Sequence, residues 1–156
     1  MRLVSLAVLS GCLFAFAPPV HADASVEKRL NERGLEFQVD EDGDYRVAYR
    51  FGDENRTQLA FVRGATETTR SFVVREVWAA AAHIERDGIS GDKALELLAD
   101  SRTNKLGSWE LDGKVLVYVI NLPDDVSAAT LEAALDTVAT VADEMEIRLT
   151  DGRDAY

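Results

Sequence analysis

The amino-acid sequence predicts an α+β fold, an antiparallel β-sheet with helices packed on it in the order α-β-β-β-β-α-β-β-α. Three observations carry that prediction. The runs 35–39 and 45–51 alternate apolar and polar residues, the period of a strand with one covered face. Asp-Gly pairs at 42–43 and 112–113 sit at the joins between strand-like runs, where a tight turn needs residues that accept positive φ. Leu131, Leu135, Val138, Ala142, Met145 and Leu149 recur at alternating steps of four and three, the stripe of a helix that buries one face. Helices do not alternate one by one with strands, so a parallel βαβ plan is not indicated.

In chain order, residues 24–33 pair Val26 with Leu30 and end at Gly34, a residue suited to a left-handed helix end, so a short first helix is expected. The acidic stretch Asp40-Glu41-Asp42-Gly43-Asp44 joins the first two strands, and the turn Gly52-Asp53-Glu54-Asn55 leads into a third at 58–62. Residues 63–70, rich in Gly, Thr and charge, read as a loop. At 72–81 the β-branched start favours strand while the alanines at 79–82 favour helix; strand is the reading adopted. Ser90 offers an N-cap for a helix over 91–105, with Ala94, Leu95, Leu98 and Arg102 along one side. A second hairpin follows across Asp112-Gly113, and its second strand, 114–122, is apolar on both faces, which places it centrally or under cover on both sides. Ser127 begins the last helix, and residues 152–156 form a polar tail expected to fray.

Residues 1–22 read differently. Arg2 gives a positive start, residues 3–16 are almost all apolar, Pro18 and Pro19 break the run, and Val20-His21-Ala22 offers a cleavage site. This is the build of a secretory signal peptide. The apolar run is shorter than the roughly 20 residues a transmembrane anchor needs. Leu9-Ser10-Gly11-Cys12 also matches a lipobox, so a lipoprotein anchored through Cys12 is the alternative to a periplasmic or secreted protein. The domain plan is a signal peptide at 1–22, one α+β domain over 23–151 and the tail 152–156.

Charge and composition narrow the chemistry. The 28 acidic and 17 basic residues give a net charge of −11, which repels phosphates and argues against a nucleic-acid partner. A cationic protein or peptide is favoured instead. Cleavage after Ala22 removes Arg2, Cys12 and His21, leaving His83 as the sole imidazole and no thiol. Cys-His nucleophilic catalysis and His-based metal clusters are thereby excluded from the mature chain. The sequence has no GxxxxGK or GxGxxG loop and no Gly-x-Ser-x-Gly elbow, and no cofactor is expected. Asp40, Asp42 and Asp44 around Gly43 suggest calcium ligands, but the glycine spacing and the flanking strands fit a solvated hairpin turn better, and no metal site is assigned. His83 has the pKa of a general base, yet no nucleophile or orienting carboxylate can be named for it, and carboxylate pairs are too abundant to single one out.

The segment Lys105-Leu106-Gly107-Ser108-Trp109-Glu110-Leu111, the strand ending at Leu122-Pro123, the helix after it, and Ala142-Asp143-Glu144-Met145-Glu146 near its end resemble the YbjN family of bacterial proteins. The resemblance spans about residues 24–151. It implies a fold similar to type III secretion chaperones and membership of a family described as sensory transduction regulators, without an established enzymatic activity or catalytic residues. The expected function is therefore an exported, non-enzymatic binding domain that holds a protein or peptide against a sheet face or a helix groove. Trp78, Trp109 and Tyr118 are its candidate binding residues, since aromatics give large contact area with few rotatable bonds; core packing is the other role open to them. The alternatives are a hydrolytic enzyme using His83 or a carboxylate pair, and a calcium-responsive structural module. The strip containing Val141 and Ile147 leaves room for a homodimer.

Overall fold

The computed structural model describes residues 23–52 and 55–156. The signal-peptide and Cys12 readings, and Asp53 and Glu54 of the second turn, lie outside the described residues. The elements are α1 (Ala24–Glu32), β1 (Phe37–Val39), β2 (Tyr45–Phe51), β3 (Arg56–Val62), β4 (Glu67–Thr69), β5 (Phe72–His83), α2 (Asp92–Thr103), β6 (Ser108–Asp112), β7 (Val115–Pro123) and α3 (Ala128–Thr150). The seven strands make one open antiparallel sheet in the order β1-β2-β3-β5-β7-β6, with β4 paired to the start of β5. The three helices share a core with the inward side chains of that sheet.

β5 is its spine. It pairs with β7 along nearly its whole length and, on its other side, first with β4 and then with β3. Ala79, Ala81 and Ala82 are fully buried, and α3, which lies chiefly over β5, brings its own Ala134, Ala139 and Ala142 into the same core. Small side chains on both partners let the helix approach closely. The helical preference of an alanine run yields to the sheet it completes.

Three expectations are corrected. The stretch 63–70 contains a strand: β4 pairs with β5 across a turn where Arg70 takes φ 55°. Its three exposed residues carry no periodicity, and only the neighbouring backbone makes it extended. Ser90 is not the N-cap of α2; Gly91, at φ 52° and without a side-chain cap, takes that place. The tail is not free of the domain but lies against it. Arg56 holds the carbonyls of Gly152 and Arg153 at 3.0 and 3.1 Å, the Ala155 amide donates to Glu146 Oε1 at 2.7 Å, and the Leu59 amide donates to Tyr156 O at 3.1 Å. The α3 stripe does pack on the sheet, and Ser127 caps the helix by accepting from the Thr130 amide.

Two buried guanidiniums fasten the layers. Arg75 donates from Nε to Asp124 Oδ1 at 2.7 Å, from Nη2 to Asp23 Oδ2 at 2.5 Å, and from Nη1 to the carbonyls of Arg63 and Gly64 at 2.6 and 2.8 Å. It thus joins the start of α1, the β3–β4 loop and the β7–α3 turn. Gly64 is required beside it, since a Cβ there would lie 2.1 Å from the Gly43 carbonyl oxygen. Arg56 works at the other end of α3, meeting Asp143 Oδ1 at 2.7 Å and Glu146 Oε2 at 2.8 Å. Burial pushes the Glu146 carboxyl up, against the pull of the Ala155 amide and Arg56.

Removing Arg56 strands two buried carboxylates. Arg56→Met is expected to cost about 3–5 kcal/mol in urea unfolding. Arg33→Ala, which breaks the surface pair with Glu132, should cost under about 1 kcal/mol.

Candidate functional site, an apolar groove beside an edge strand

α2 leans on the edge strand β6 through a small set of fixed contacts. The Trp109 amide donates to Ser101 Oγ at 2.9 Å and its indole Nε1 to Asp100 Oδ2 at 2.8 Å. The Trp109 ring meets Tyr118 edge-on, with centroids 5.0 Å apart, and Tyr118 donates its hydroxyl to the Leu106 carbonyl at 3.1 Å. Gly107 enters β6 at φ 120°, and a Cβ there would sit 2.5 Å from the Val119 carbonyl oxygen, so no other residue fits the turn between helix and strand.

Because α2 sits at the sheet's margin rather than over its centre, only Leu97 of this helix is buried. Leu95 and Leu98, expected along one side of this helix with Ala94 and Arg102, are each 64% exposed, and Leu111 on β6 is 59% exposed. Leu98 and Leu111, together with Ile84, Ile89, Ala94 and Leu97, border an open groove of about 240 Å³ in which Glu110 is the only charged residue of the lining, while Leu95 lies outside it. Several large apolar side chains exposed in one place are uncommon on a soluble domain and mark a contact surface. Charges on the flanking elements are mixed: Asp92, Glu96 and Asp112 alternate with Lys93, Arg102 and Lys114, the last paired with Glu85 at 2.7 Å. The groove itself selects for apolar side chains.

The three residues singled out in the sequence do not form one surface. Trp109 is 6% exposed and lines the groove from within the core, and the fully buried Tyr118 supports it from beneath. Burial, followed by the nearby charge of Asp100, pushes the Tyr118 phenol up. Trp78 points to the opposite face of the sheet. There it stacks on Phe61 at 4.2 Å and 9° and packs against Ala80, Val117 and Val119, with its indole N–H unpartnered among the described residues. The groove residues Ile84, Ile89 and Leu111 were missed by sequence reading. The helix side of the groove was signalled by Ala94 and Leu98, which the sequence places along one side of α2.

The other sequence candidates sit apart from the groove. The His83 ring accepts the Arg86 amide at Nδ1 (3.3 Å), and no serine hydroxyl or carboxylate meets that ring among the described contacts. Asp40 Oδ1 accepts the amides of Asp42 and Asp44, closing the β1–β2 turn on itself, and Asp44 accepts the Gly64 amide. Among the described residues no cluster of three or more His, Cys, Asp or Glu side chains is placed to hold a metal ion. No helix among them is long and apolar enough to cross a membrane. Asp87, whose side chain is 1% exposed, receives the His83 amide and the guanidiniums of Arg86 and Arg153. Arg86, outweighing burial and helped by the His83 amide and Arg153, holds this carboxyl well below the usual carboxylate range.

Compared with known proteins, the chain matches no family model and no curated protein.

Trp109→Ala is expected to cost about 3–5 kcal/mol of stability as a core deletion. Leu98→Ala on the open groove should stay within about 0.5 kcal/mol in the same urea titration. Asp87 has a depressed folded pKa, so its contribution is present above the unfolded value of about 3.9 and disappears as pH falls through the folded one. The melting temperature of Asp87→Asn should therefore lie below that of the unsubstituted chain at pH 7, and the gap should close toward pH 2; a gap independent of pH would refute this assignment.

Proposed function

We propose that the chain is an exported, non-enzymatic binding domain of the YbjN type, with the chaperone-like fold that resemblance implies, and that it holds a polypeptide segment in the α2–β6 groove. The observation that carries this is the pair of exposed leucines at 98 and 111 in the groove, which leaves water-exposed apolar surface on elements whose backbone positions are fixed by Trp109, Ser101 and Gly107. Binding is burial of apolar side chains from the partner, each worth roughly 1.5–3 kcal/mol when fully covered. The net charge of −11 speeds the approach of cationic partners and disfavours acidic ones. The leader-like residues 1–22 and the resemblance over 24–151 support an exported member of that family, and the open α+β architecture is compatible with it.

The test is photocrosslinking in living cells with a benzoylphenylalanine placed at Leu98 or Leu111, and a control placement at the exposed Lys28 on α1. Discrete adducts from the groove positions alone, lost when Ala94→Asp is added in the groove lining, are expected. Equal adducts from all three positions, or none from the groove with the protein folded and exported, would sink the proposal. A substrate screen in which activity disappears with His83→Ala in a folded chain would favour the hydrolytic reading instead.

A further inference from the structure

We propose that the wedge between β3 and β5 is a second peptide-binding site, separate from the α2–β6 groove, and that residues 152–156 fill it here as an intramolecular ligand for which another extended segment of the same chemistry can substitute. β3 and β5 pair only at 60–62 with 77–79, and beyond them the register of β5 shifts between Ala80 and Ala82. The amides of Thr57 and Leu59, which would otherwise face a neighbouring strand, donate instead to Asp154 Oδ1 at 3.3 Å and Tyr156 O at 3.1 Å. Gln58 bridges the gap by donating to the Ala80 carbonyl at 2.7 Å.

The receiving surface has a definite chemistry, in which Arg56 takes the carbonyls of Gly152 and Arg153. Asp87 takes the Arg153 guanidinium at 2.9 Å, and Glu146 takes the Ala155 amide. Arg86 stands 5.4 Å over the Tyr156 ring and donates to its hydroxyl at 3.0 Å, while the ring packs on the strip of Ala80, Val117 and Val119. These resemble the components of strand addition: an edge amide, that of Leu59, for the incoming backbone, a second, that of Thr57, for its carboxylate side chain, and separate seats for the guanidinium and the ring. The matching ligand carries a guanidinium, then a carboxylate, then an aromatic two residues further on.

The occupant is lightly held. Residues 152–155 are exposed, their ties are hydrogen bonds and ion pairs, and the half-buried Tyr156 is the only apolar anchor. Segments with few buried apolar contacts open locally at small cost, which leaves the wedge accessible to a competitor.

The probe is a fluorescein-labelled heptapeptide, Thr-Asp-Gly-Arg-Asp-Ala-Tyr, copied from residues 150–156, titrated into the full chain and into its Arg153→Ala/Tyr156→Ala variant. The variant is expected to bind at least about tenfold more tightly, because internal occupancy lowers the fraction of open sites. Adding Asp87→Asn, or replacing the peptide's own Arg and Tyr by Ala, should abolish binding. A variant that keeps the parent's near-UV spectrum yet takes up no peptide, or takes the alanine peptide equally well, overturns the proposal. Should the variant fail to fold, amide exchange in the unsubstituted chain decides. A Leu59 amide exchanging about a hundredfold faster than the β5–β7 ladder supports an opening wedge, and exchange in step with the ladder overturns it.

Discussion

A guanidinium that stays charged at any pH the fold survives lies inside this molecule, and the fold is arranged around satisfying it. Arg56 is nearly inaccessible, as are Asp143 and Glu146 opposite it. Breaking such a set costs far more than a surface pair, because the groups left behind keep their charge and lose their solvent. Satisfying Arg56 dictates three things at once: β3 must begin two residues earlier than its apolar alternation suggests, α3 must present its last two turns to the sheet, and the chain beyond α3 must turn back so that the carbonyls of Gly152 and Arg153 reach the same side chain. Arg75 repeats the device at the start of α1 and α3. The helix layer is thus fastened at both ends by charge-assisted hydrogen bonds and in the middle by alanine against alanine.

Much of this was legible in the residues. The Asp-Gly turns, the capped stripe of α3 and the doubly apolar β7 each state a local preference that agrees with the global arrangement, which is why those elements stand where expected. What escaped reading has a common cause. β4 is a strand only because β5 is beside it, and the tail is ordered only because Arg56 and Asp87 are waiting for it. Both depend on contacts distant in sequence. The buried arginines did leave a trace: Arg56 shares strand parity with Gln58, Ala60 and Val62, and Arg75 shares it with Val77 and Ala79. A charged residue in phase with the buried positions signals an internal ion pair, whereas charge is ordinarily read as a solvent face.

The candidate site was less legible than the fold, because it depends on where α2 lands. Had this helix crossed the sheet's centre, Leu95 and Leu98 would have joined the core. Resting chiefly on β6, with Asp100 also paired to Arg148 of α3, it buries Leu97 and leaves Leu98 beside Leu111. Trp109 and Tyr118, the aromatics that looked like contact residues, hold this margin in place from beneath. Trp78 belongs to the opposite face, where the tail's Tyr156 covers the same strip.

The sheet is open, and an open sheet carries two raw borders that invite other strands. Here each is blunted in its own way. β1 is three residues long and flanked by Glu36 and the acidic turn, too short and too charged to template a neighbour. β6 spends the Trp109 amide on a serine hydroxyl of α2 and carries Glu110 and Asp112 along its exposed length. Natural sheets use such devices to escape edge-to-edge aggregation. A protein with so much exposed leucine next to a border strand can consequently stay dispersed at high concentration, and its failure under stress would run through amorphous clumping of the leucines rather than through fibrils grown from the sheet.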